Sequence, residues 1–233
     1  VAKEHGKVYV VDAMSSFGGI PIELEGCGID FLVSSANKCI EGVPGFSFVL
    51  CRRSRLAGCE GHARSLSLDL WAQLRGFESN GQFRFTPPTH ALLAFDQALN
   101  ELEAEGGVTA RRLRYLENHQ VLLRGLAKLG IRPYLEPGVQ SYIITAFRYP
   151  AHPQFAFDVF YRKLSDSGFI IYPGKLTEAD TFRIGTIGRL FPPDLEQLVH
   201  AVSRVLEEMG CAAPALERDQ QGRSCDPMPA GES

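Results

Sequence analysis

The sequence has little excess charge of either sign and no long hydrophobic run. Its 24 lysines and arginines and 27 aspartates and glutamates leave a net charge of -3, which gives no basic surface for nucleic acid. The longest apolar runs span about five or six residues, against the roughly 20 that a membrane-spanning helix needs. The first seven residues lack the apolar segment of a signal peptide. The composition therefore predicts a cytoplasmic protein with neither a nucleic-acid nor a membrane partner.

Cysteine pairs at metal-binding or redox spacing are also absent. The six cysteines lie at positions 27, 39, 51, 59, 211 and 225, without a C-x-x-C pair. Several stand in or beside apolar runs, so we interpret them as reduced, mostly structural thiols rather than as a disulfide framework or a zinc site. Cys39 is a candidate nucleophile, although no histidine lies near it in the sequence.

What the sequence does contain is an alternation of short apolar runs and polar loops, a pattern typical of α/β proteins. Residues 8–11, 31–33 and 46–50 predict strands, the first of the kind buried in parallel sheets. Asp12 directly follows the first strand, and Lys38 follows the second after a short polar loop. The intervening segment is long enough for a crossover, so both side chains are predicted to reach the carboxyl edge of one sheet.

Each of these two residues also has a simpler interpretation. A strand-end aspartate often caps the following turn, and a lysine in a polar loop is usually solvated. The functional interpretation of Lys38 is that the neighbouring buried strand removes part of its hydration, which favours the neutral amine and allows a Schiff base. A further functional residue elsewhere in the chain is needed to decide between these interpretations.

The rest of the chain divides into two predicted units joined by a long helix. Helical periodicity predicts helices over residues 91–105, with Thr89 as the N-cap, over 109–129 and over 192–209. The second of these helices carries its charges mostly on one side and resembles a spine between two lobes. We therefore place the domain boundary within it, after residue 115.

Beyond residue 130 the pattern predicts a smaller α+β lobe. Its predicted strands and helix cover residues 141–147, 155–167, 168–174 and 181–188. In the last strand Arg183 faces away from the apolar side. From residue 210 to residue 233 apolar side chains are scarce, which predicts a disordered tail.

Asp12, Lys38 and Arg183 together match the needs of a pyridoxal phosphate enzyme. Such an enzyme uses a lysine to bind the cofactor aldehyde, a carboxylate to keep the pyridinium nitrogen protonated, and a cation for the acid group of the substrate. A Schiff-base aldolase, the competing lysine chemistry, needs neither the pyridinium acid nor the small lobe. The combination is therefore more specific than any of its members.

Three segments, residues 12–19, 34–38 and 182–188, resemble class V aminotransferases of the fold-type-I pyridoxal phosphate superfamily. The run over residues 37–49 is the most telling part of the match. The resemblance preserves the order of these segments and extends over most of the chain, up to the predicted tail.

The resemblance implies an α/β fold made of the C-terminal portion of an aspartate aminotransferase-like large domain, residues 1–115, and a small C-terminal α+β domain, residues 116–209. It implies a transaminase that takes the amino group of 2-aminoethylphosphonate and passes it to pyruvate, leaving phosphonoacetaldehyde and L-alanine. The alternative within the family uses alanine or serine as donor and glyoxylate or pyruvate as acceptor. No motif in the sequence indicates which residues bind the phosphonate.

The resemblance also assigns roles around the cofactor, pyridoxal 5'-phosphate. Lys38 would hold it through a Schiff base and move a proton between the substrate carbon and the cofactor carbon C4′. Asp12 would pair with the pyridinium nitrogen, Met14 would pack on one ring face, and Asn37 would contact the phosphate. As a core filler, Met14 has an equally good interpretation.

Two further residues complete the implied site. Thr86 matches a threonine that reaches the cofactor phosphate of the neighbouring subunit, which implies a homodimer. Arg183 would clamp the carboxylate of pyruvate or alanine through its planar guanidinium. Without the resemblance, Arg183 is equally well a strand arginine in a surface ion pair.

The chain departs from the family pattern at its beginning. Residues 3–7 predict the end of a helix, so the sequence reads as the continuation of a protein whose earlier part is missing. The family's glycine-rich phosphate turn and the aromatic residue that stacks on the cofactor lie upstream of Asp12. We therefore expect the isolated chain to bind the cofactor weakly or not at all. A truncated, non-catalytic relative that acts as a dimerising subunit is the alternative from a different class.

Overall fold

The computed structural model describes residues 1–174 and 179–211, which form six strands and six helices. The strands are β1 (Val10–Asp12), β2 (Phe31–Ser35), β3 (Ser47–Cys51), β4 (Ile144–Arg148), β5 (Tyr172–Pro173) and β6 (Thr181–Gly185). The helices are α1 (Arg53–Ala57), α2 (Leu70–Asn80), α3 (Thr89–Glu105), α4 (Gly107–Lys128), α5 (Phe157–Asp166) and α6 (Pro192–Glu208). No helix among the described residues has the length and apolarity needed to cross a bilayer.

The first sheet consists of β1, β2 and β3, with β2 in the centre. β1 runs parallel to β2, with Asp12 opposite Val33, whereas β3 runs antiparallel to β2. Leu32 on the central strand is completely buried. The predicted parallel pairing of the first two strands is confirmed, and it brings their carboxyl ends to the same edge of the sheet.

The beginning of the chain differs from the prediction. Residues 3–7 form hydrogen-bonded turns instead of the end of a helix, and β1 begins later than the predicted strand. Val8 is 53% exposed and Val10 is 59% exposed. Because β1 lies at the edge of the sheet among the described residues, the burial expected for this strand is wrong.

The second sheet is antiparallel and consists of β4, β6 and β5, with β6 in the centre. On β6, Phe182 and Ile184 are buried, while Arg183 between them is half-buried. The buried side chains belong to the main core, which also takes apolar residues from α4, α5 and α6. The predicted alternation along this strand is confirmed.

The three helices predicted from periodicity are present as α3, α4 and α6, with small shifts in their bounds. α3 begins at Thr89, and Pro88 occupies the N-cap position without a side-chain hydrogen bond. The prediction of Thr89 as the N-cap is therefore wrong. α6 is capped because the N–H of Phe191 donates to Asp194 Oδ2 at 2.8 Å.

α4 connects the two halves of the molecule. It packs against α3 and α6, and Tyr115 on α4 is completely buried. Tyr115 shares a small core with Cys39 from the first half and Ile143 from the second. α4 therefore has the spine position expected for it, while the domain boundary after residue 115 stays a prediction.

The predicted disordered tail, residues 210–233, falls mostly outside the described residues. Gly210 and Cys211 are described, and Cys211 is buried in the main core. The packed part of the chain therefore extends beyond residue 209, because the Cys211 side chain finds an apolar site there. The five cysteines among the described residues are free thiols, and Cys225 lies outside them.

Candidate active site

The carboxyl ends of β1 and β2 form the base of the candidate site. Asp12 is the last residue of β1, and the ladder continues past it because the N–H of Ala13 donates to the carbonyl of Val33 at 2.9 Å. The Ser34 hydroxyl donates to the Ala13 carbonyl at 3.2 Å. These bonds fix the segment after Asp12 against the strand that leads to Lys38. Side chains at such strand ends point toward the edge where ligands bind in open α/β sheets.

Lys38 lies in a tight turn that follows β2. Two backbone hydrogen bonds close the turn: the N–H of Glu41 donates to the Lys38 carbonyl at 2.9 Å, and the N–H of Gly42 donates to the Ala36 carbonyl at 2.8 Å. A Cβ at position 42 would lie 2.8 Å from the Ala36 carbonyl oxygen, so this close approach requires glycine. Lys38 itself is exposed. The partial burial expected for Lys38 is therefore not found among the described residues, and its role stays a prediction.

Lys38 and Arg183 line one cleft of about 780 Å³. Ser15, from the loop after β1, is a third polar residue in its wall, and much of the remaining lining is apolar and comes from the second sheet and α6. The two residues are far apart in the sequence, and they line the same cleft because α4 contacts both the Lys38 turn, through the Cys39 carbonyl, and the segment after β6, through the Gly188 carbonyl. The cleft thus brings together two of the residues expected in the site from the sequence, and their roles stay predictions.

The Arg183 side chain is anchored by its inner nitrogen. Arg183 Nε donates to the Pro173 carbonyl at 3.0 Å, and the guanidinium carbon lies 5.9 Å from the ring centroid of Tyr172. Nη1 and Nη2 make no hydrogen bond to the described residues, and no described carboxylate forms an ion pair with Arg183. The interpretation of Arg183 as a surface ion-pair residue is therefore not supported within residues 1–174 and 179–211.

Asp12 has one oxygen engaged and one free. Asp12 Oδ1 accepts a hydrogen bond from the N–H of Met14 at 2.9 Å, which is the local turn that a strand-end aspartate commonly makes. Oδ2 has no hydrogen-bond partner among the described residues, and the side chain is exposed. Asp12 does not line the cleft; it stands on the neighbouring strand end. The capping interpretation and a role toward a ligand are thus compatible.

Three further predicted residues are not brought into the cleft. Met14 is half-buried, and Asn37 is exposed next to Lys38. Thr86 is exposed and lines a separate, shallow depression formed by residues 81–87. For Thr86 this is expected, because a threonine that contacts the cofactor of a neighbouring subunit does not line the cleft of its own chain. The roles of all three residues stay predictions.

Cys39 has a structural role in the same region. Its side chain is completely buried, and its thiol donates to the carbonyl of Ser15 at 3.3 Å. Burial raises the pKa of Cys39 to about 12, so the thiol stays protonated at neutral pH and is a poor nucleophile. The structure therefore argues against the nucleophilic interpretation of Cys39. Instead, the thiol ties the Lys38 turn to the loop after Asp12.

Sequence reasoning missed a buried network of charged residues beneath the Lys38 turn. Arg111 on α4 is completely buried and donates from Nε and Nη2 to Glu105 Oε2 at 2.9 and 2.7 Å. Arg114 donates from Nε to Glu105 Oε1 and from Nη2 to Glu41 Oε1, both at 2.8 Å. Burial alone would raise the pKa of Glu105, but hydrogen bonds from Arg114 and Arg111 hold it below its usual value. The one signal for it in the sequence is that the charges of the predicted 109–129 helix lie mostly on one side.

Comparison with known proteins gives the family. Residues 1–156 match the family model described as aminotransferase class-V. A relative from Klebsiella pneumoniae subsp. pneumoniae, a 2-aminoethylphosphonate–pyruvate transaminase, is 54% identical over 207 residues, which cover 88% of this chain and 56% of the relative. A protein of the same name from Syntrophobacter fumaroxidans is 54% identical over 209 residues, with 89% and 56% covered. The chain therefore spans about half the length of the curated relatives it matches.

Solved structures agree on the fold. An alanine–glyoxylate aminotransferase from Nostoc sp. superposes with a TM-score of 0.77 at 24% identity, covering 88% of this chain and 55% of the other. A pyridoxamine–pyruvate aminotransferase from Mesorhizobium loti superposes with a TM-score of 0.80 at 23% identity, covering 90% and 54%. At these identities the likeness establishes the fold, and it confirms the predicted fold class. Together with the family model, it shows that the chain belongs to the class V aminotransferase family.

Proposed function

We propose that the chain is the catalytic part of a pyridoxal phosphate-dependent transaminase that transfers the amino group of 2-aminoethylphosphonate to pyruvate. The observation that carries this proposal is the cleft lined by both an exposed lysine and an arginine whose Nη groups have no hydrogen-bond partner among the described residues. The choice of donor is supported by the relatives that are 54% identical over most of this chain, since their names specify this pair of substrates. The likeness to alanine–glyoxylate and other transaminases rests on lower identity and supports the fold only.

The residues present fit the cofactor by their chemistry. The Lys38 amine can bind an aldehyde, and Asp12 Oδ2 can accept a hydrogen bond from a protonated ring nitrogen. The Ser35 hydroxyl at the end of β2 is buried without a hydrogen-bond partner among the described residues. The cleft volume of about 780 Å³ lies within the range of small-molecule sites. When bound, pyridoxal phosphate supplies an electron sink for the bond that breaks at the amine-bearing carbon.

The chain's own residues then have separate tasks. Lys38 Nζ would hold the cofactor at its aldehyde and, once an amino substrate has taken its place, would serve as the base that removes the proton from the amine-bearing carbon. Asp12 holds a proton at the ring nitrogen, which needs the oxygen that the Met14 amide leaves free. Met14 and Asn37, which stand next to these two residues in the sequence, are proposed to contact the ring and the phosphate.

Arg183 is proposed to bind the carboxylate of pyruvate and of the alanine formed from it. A guanidinium can present two parallel N–H groups to a carboxylate. Because Nε is held by the Pro173 carbonyl, the plane of the guanidinium is set before the substrate arrives. This arrangement lowers the entropy lost on binding, since the side chain is already ordered.

We also propose that the protein acts as a homodimer, with Thr86 reaching the phosphate site of the partner subunit. Support comes from apolar side chains that are exposed around Thr86: Leu66, Leu68, Phe83 and Phe85. The two segments that carry them are in contact, since Arg84 Nη1 donates to the Leu66 carbonyl at 3.2 Å. Exposed apolar clusters of this kind mark interaction surfaces. The cytoplasmic location stays a prediction from composition.

One assay tests the proposed reaction. The full-length gene product that contains this chain is given 2-aminoethylphosphonate with pyruvate and, separately, alanine with glyoxylate, and the amino acids formed are quantified. Alanine formation from the first pair is expected. Activity on the second pair alone would reject the proposed donor, and no activity on either pair would favour the non-catalytic, dimerising alternative.

A lysine substitution tests the assignment of the cofactor site. Lys38→Ala is expected to abolish most of the adduct that a limiting amount of pyridoxal phosphate and borohydride leave on the whole protein, as read by intact-mass spectrometry. The fold should persist, because Lys38 is exposed. Lys128→Ala, which removes another exposed lysine, is the matched control and should leave that adduct unchanged. An equal yield of cofactor adduct in the Lys38→Ala protein would remove Lys38 from the site.

A further inference from the structure

Glu41 occupies a backbone conformation that favours glycine. Its φ is 65°, and among the described residues it is the only non-glycine residue with a positive φ. Side chains are disfavoured in this left-handed region because Cβ approaches the following carbonyl. Such outliers persist where the surroundings hold them in place, and they cluster at functional sites. The carboxylate of Glu41 is therefore the feature that needs explanation.

That carboxylate is held from α4. Tyr115 donates its hydroxyl to Glu41 Oε1 at 2.6 Å, and Arg114 Nη2 donates to the same oxygen at 2.8 Å. The Glu41 side chain is only 8% exposed, so these bonds form away from bulk water, where they are stronger. Two residues earlier, Arg111 Nη1 donates to the Cys39 carbonyl at 2.8 Å. The turn that presents Lys38 is thus fixed at two points by one helix.

The same helix also holds the strand that carries Arg183. Arg114 Nη1 donates to the carbonyls of Gly188 and Leu190 at 2.7 and 3.0 Å, and the N–H of Gly188 donates to the Tyr115 hydroxyl at 3.3 Å. Gly188 lies just beyond the end of β6. Tyr115 and Arg114 therefore contact the Lys38 turn and the Arg183 segment at once.

We propose that Glu41 is a positioning residue for the reaction. With Tyr115 and Arg114, it fixes the position of the Lys38 turn relative to the strand that carries Arg183. This inference rests on the roles proposed above for Lys38 and Arg183. It explains why position 41 keeps a strained backbone, since glycine would adopt the same conformation without strain if the side chain had no role. It also gives the buried arginines of α4 a task beyond packing.

Three substitutions in the full-length gene product test this inference. Glu41→Gly permits the backbone conformation but removes the carboxylate, Glu41→Gln keeps an oxygen acceptor for both donors, and Tyr115→Phe removes one donor while keeping the ring. The readout is the rate at which pyridoxal phosphate and borohydride modify Lys38, measured by peptide mapping below the unfolding temperature. General loosening of the fold would not slow modification of an amine that is already exposed.

Glu41→Gly is expected to slow the modification of Lys38 by about tenfold or more, because misplacement by roughly 1 Å can reduce a rate about 100-fold. Tyr115→Phe should slow it in the same direction, and Glu41→Gln should retain most of the rate. Tyr161→Phe removes a hydroxyl that has no hydrogen-bond partner among the described residues, and as the matched control it should have no effect.

The outcomes separate this inference from the proposed function. If Lys38 of the unsubstituted protein is not modified selectively, the proposed function fails and the inference fails with it. If Lys38 is modified in the unsubstituted protein, and Glu41→Gly and Tyr115→Phe react at the same rate, the inference is overturned while the proposed function stands. In the assay with pyruvate, the Glu41→Gly protein should lose activity mainly through a lower kcat, since Arg183 can still bind the carboxylate of pyruvate.

Discussion

Arg183→Lys tests the role of the guanidinium with the least change to charge and size. The substitution keeps a cation on β6 but removes Nε, which donates to the Pro173 carbonyl at 3.0 Å. It also removes the planar fork, because an ammonium group is a point charge that cannot offer two parallel N–H groups to a carboxylate. The lysine would therefore lose its anchor and one of its two bonds to pyruvate.

The expected magnitude follows from the bond that is lost. A hydrogen bond to a charged group contributes about 1.5–3 kcal/mol. Since about 1.4 kcal/mol corresponds to a tenfold change in a binding constant, the kcat/KM for pyruvate should fall by roughly 10- to 100-fold. The unfolding temperature should change little, because Arg183 is half-buried and forms no ion pair with the described residues.

The assay is alanine formation at varied pyruvate concentration and saturating amino donor. Arg148→Lys is the matched control, because Arg148 lies on the neighbouring strand β4, its guanidinium packs 4.7 Å from the ring centroid of Tyr134, and it does not line the cleft. The control should leave KM for pyruvate unchanged. A KM in Arg183→Lys equal to that of the unsubstituted protein would refute the assignment of Arg183 to the carboxylate.

Two further predictions concern stability. His119 is 7% exposed, and burial lowers its pKa below the value of about 6.5 expected in the unfolded chain. As the pH falls, the unfolded chain therefore binds a proton at His119 before the folded chain does. The stability that neutral His119 contributes is complete above about pH 6.5 and declines as the pH falls toward the folded pKa. Urea unfolding of the protein and of His119→Gln should show a smaller loss between about pH 7.5 and about 5.5 in the variant, and equal slopes would contradict the assignment. Leu122→Ala on α4 should lower the free energy of unfolding by about 2–5 kcal/mol, because Leu122 is completely buried. Leu113→Ala, at a position of the same helix that is 61% exposed, should lower it by no more than about 0.5 kcal/mol, and similar losses in both variants would show that the helix is packed differently.

The sequence alone was sufficient for features that depend on local periodicity. Alternating apolar residues define β6 and place Arg183 opposite its buried neighbours, and helical spacing defines α3, α4 and α6. The segments around Asp12 and Lys38 carried the family resemblance, because their residue types follow from the chemistry of the cofactor. A single residue type was not enough to place a helix cap: Thr89 begins α3, and Pro88 occupies the N-cap position.

Only the tertiary structure determined how these parts meet. That Lys38 and Arg183 line one cleft depends on α4, which contacts both the Lys38 turn and the segment after β6, and no local pattern specifies such long-range contacts. The burial of Cys39 and the conformation held at Glu41 also depend on contacts with α4. The charges of the 109–129 segment look alike in the sequence, yet Arg111 is completely buried and Arg112 is exposed. A buried charge needs a paired partner. Glu105 lies close to Arg111 in the sequence, whereas Glu41 comes from a distant segment and reaches Arg111 only when the chain is folded.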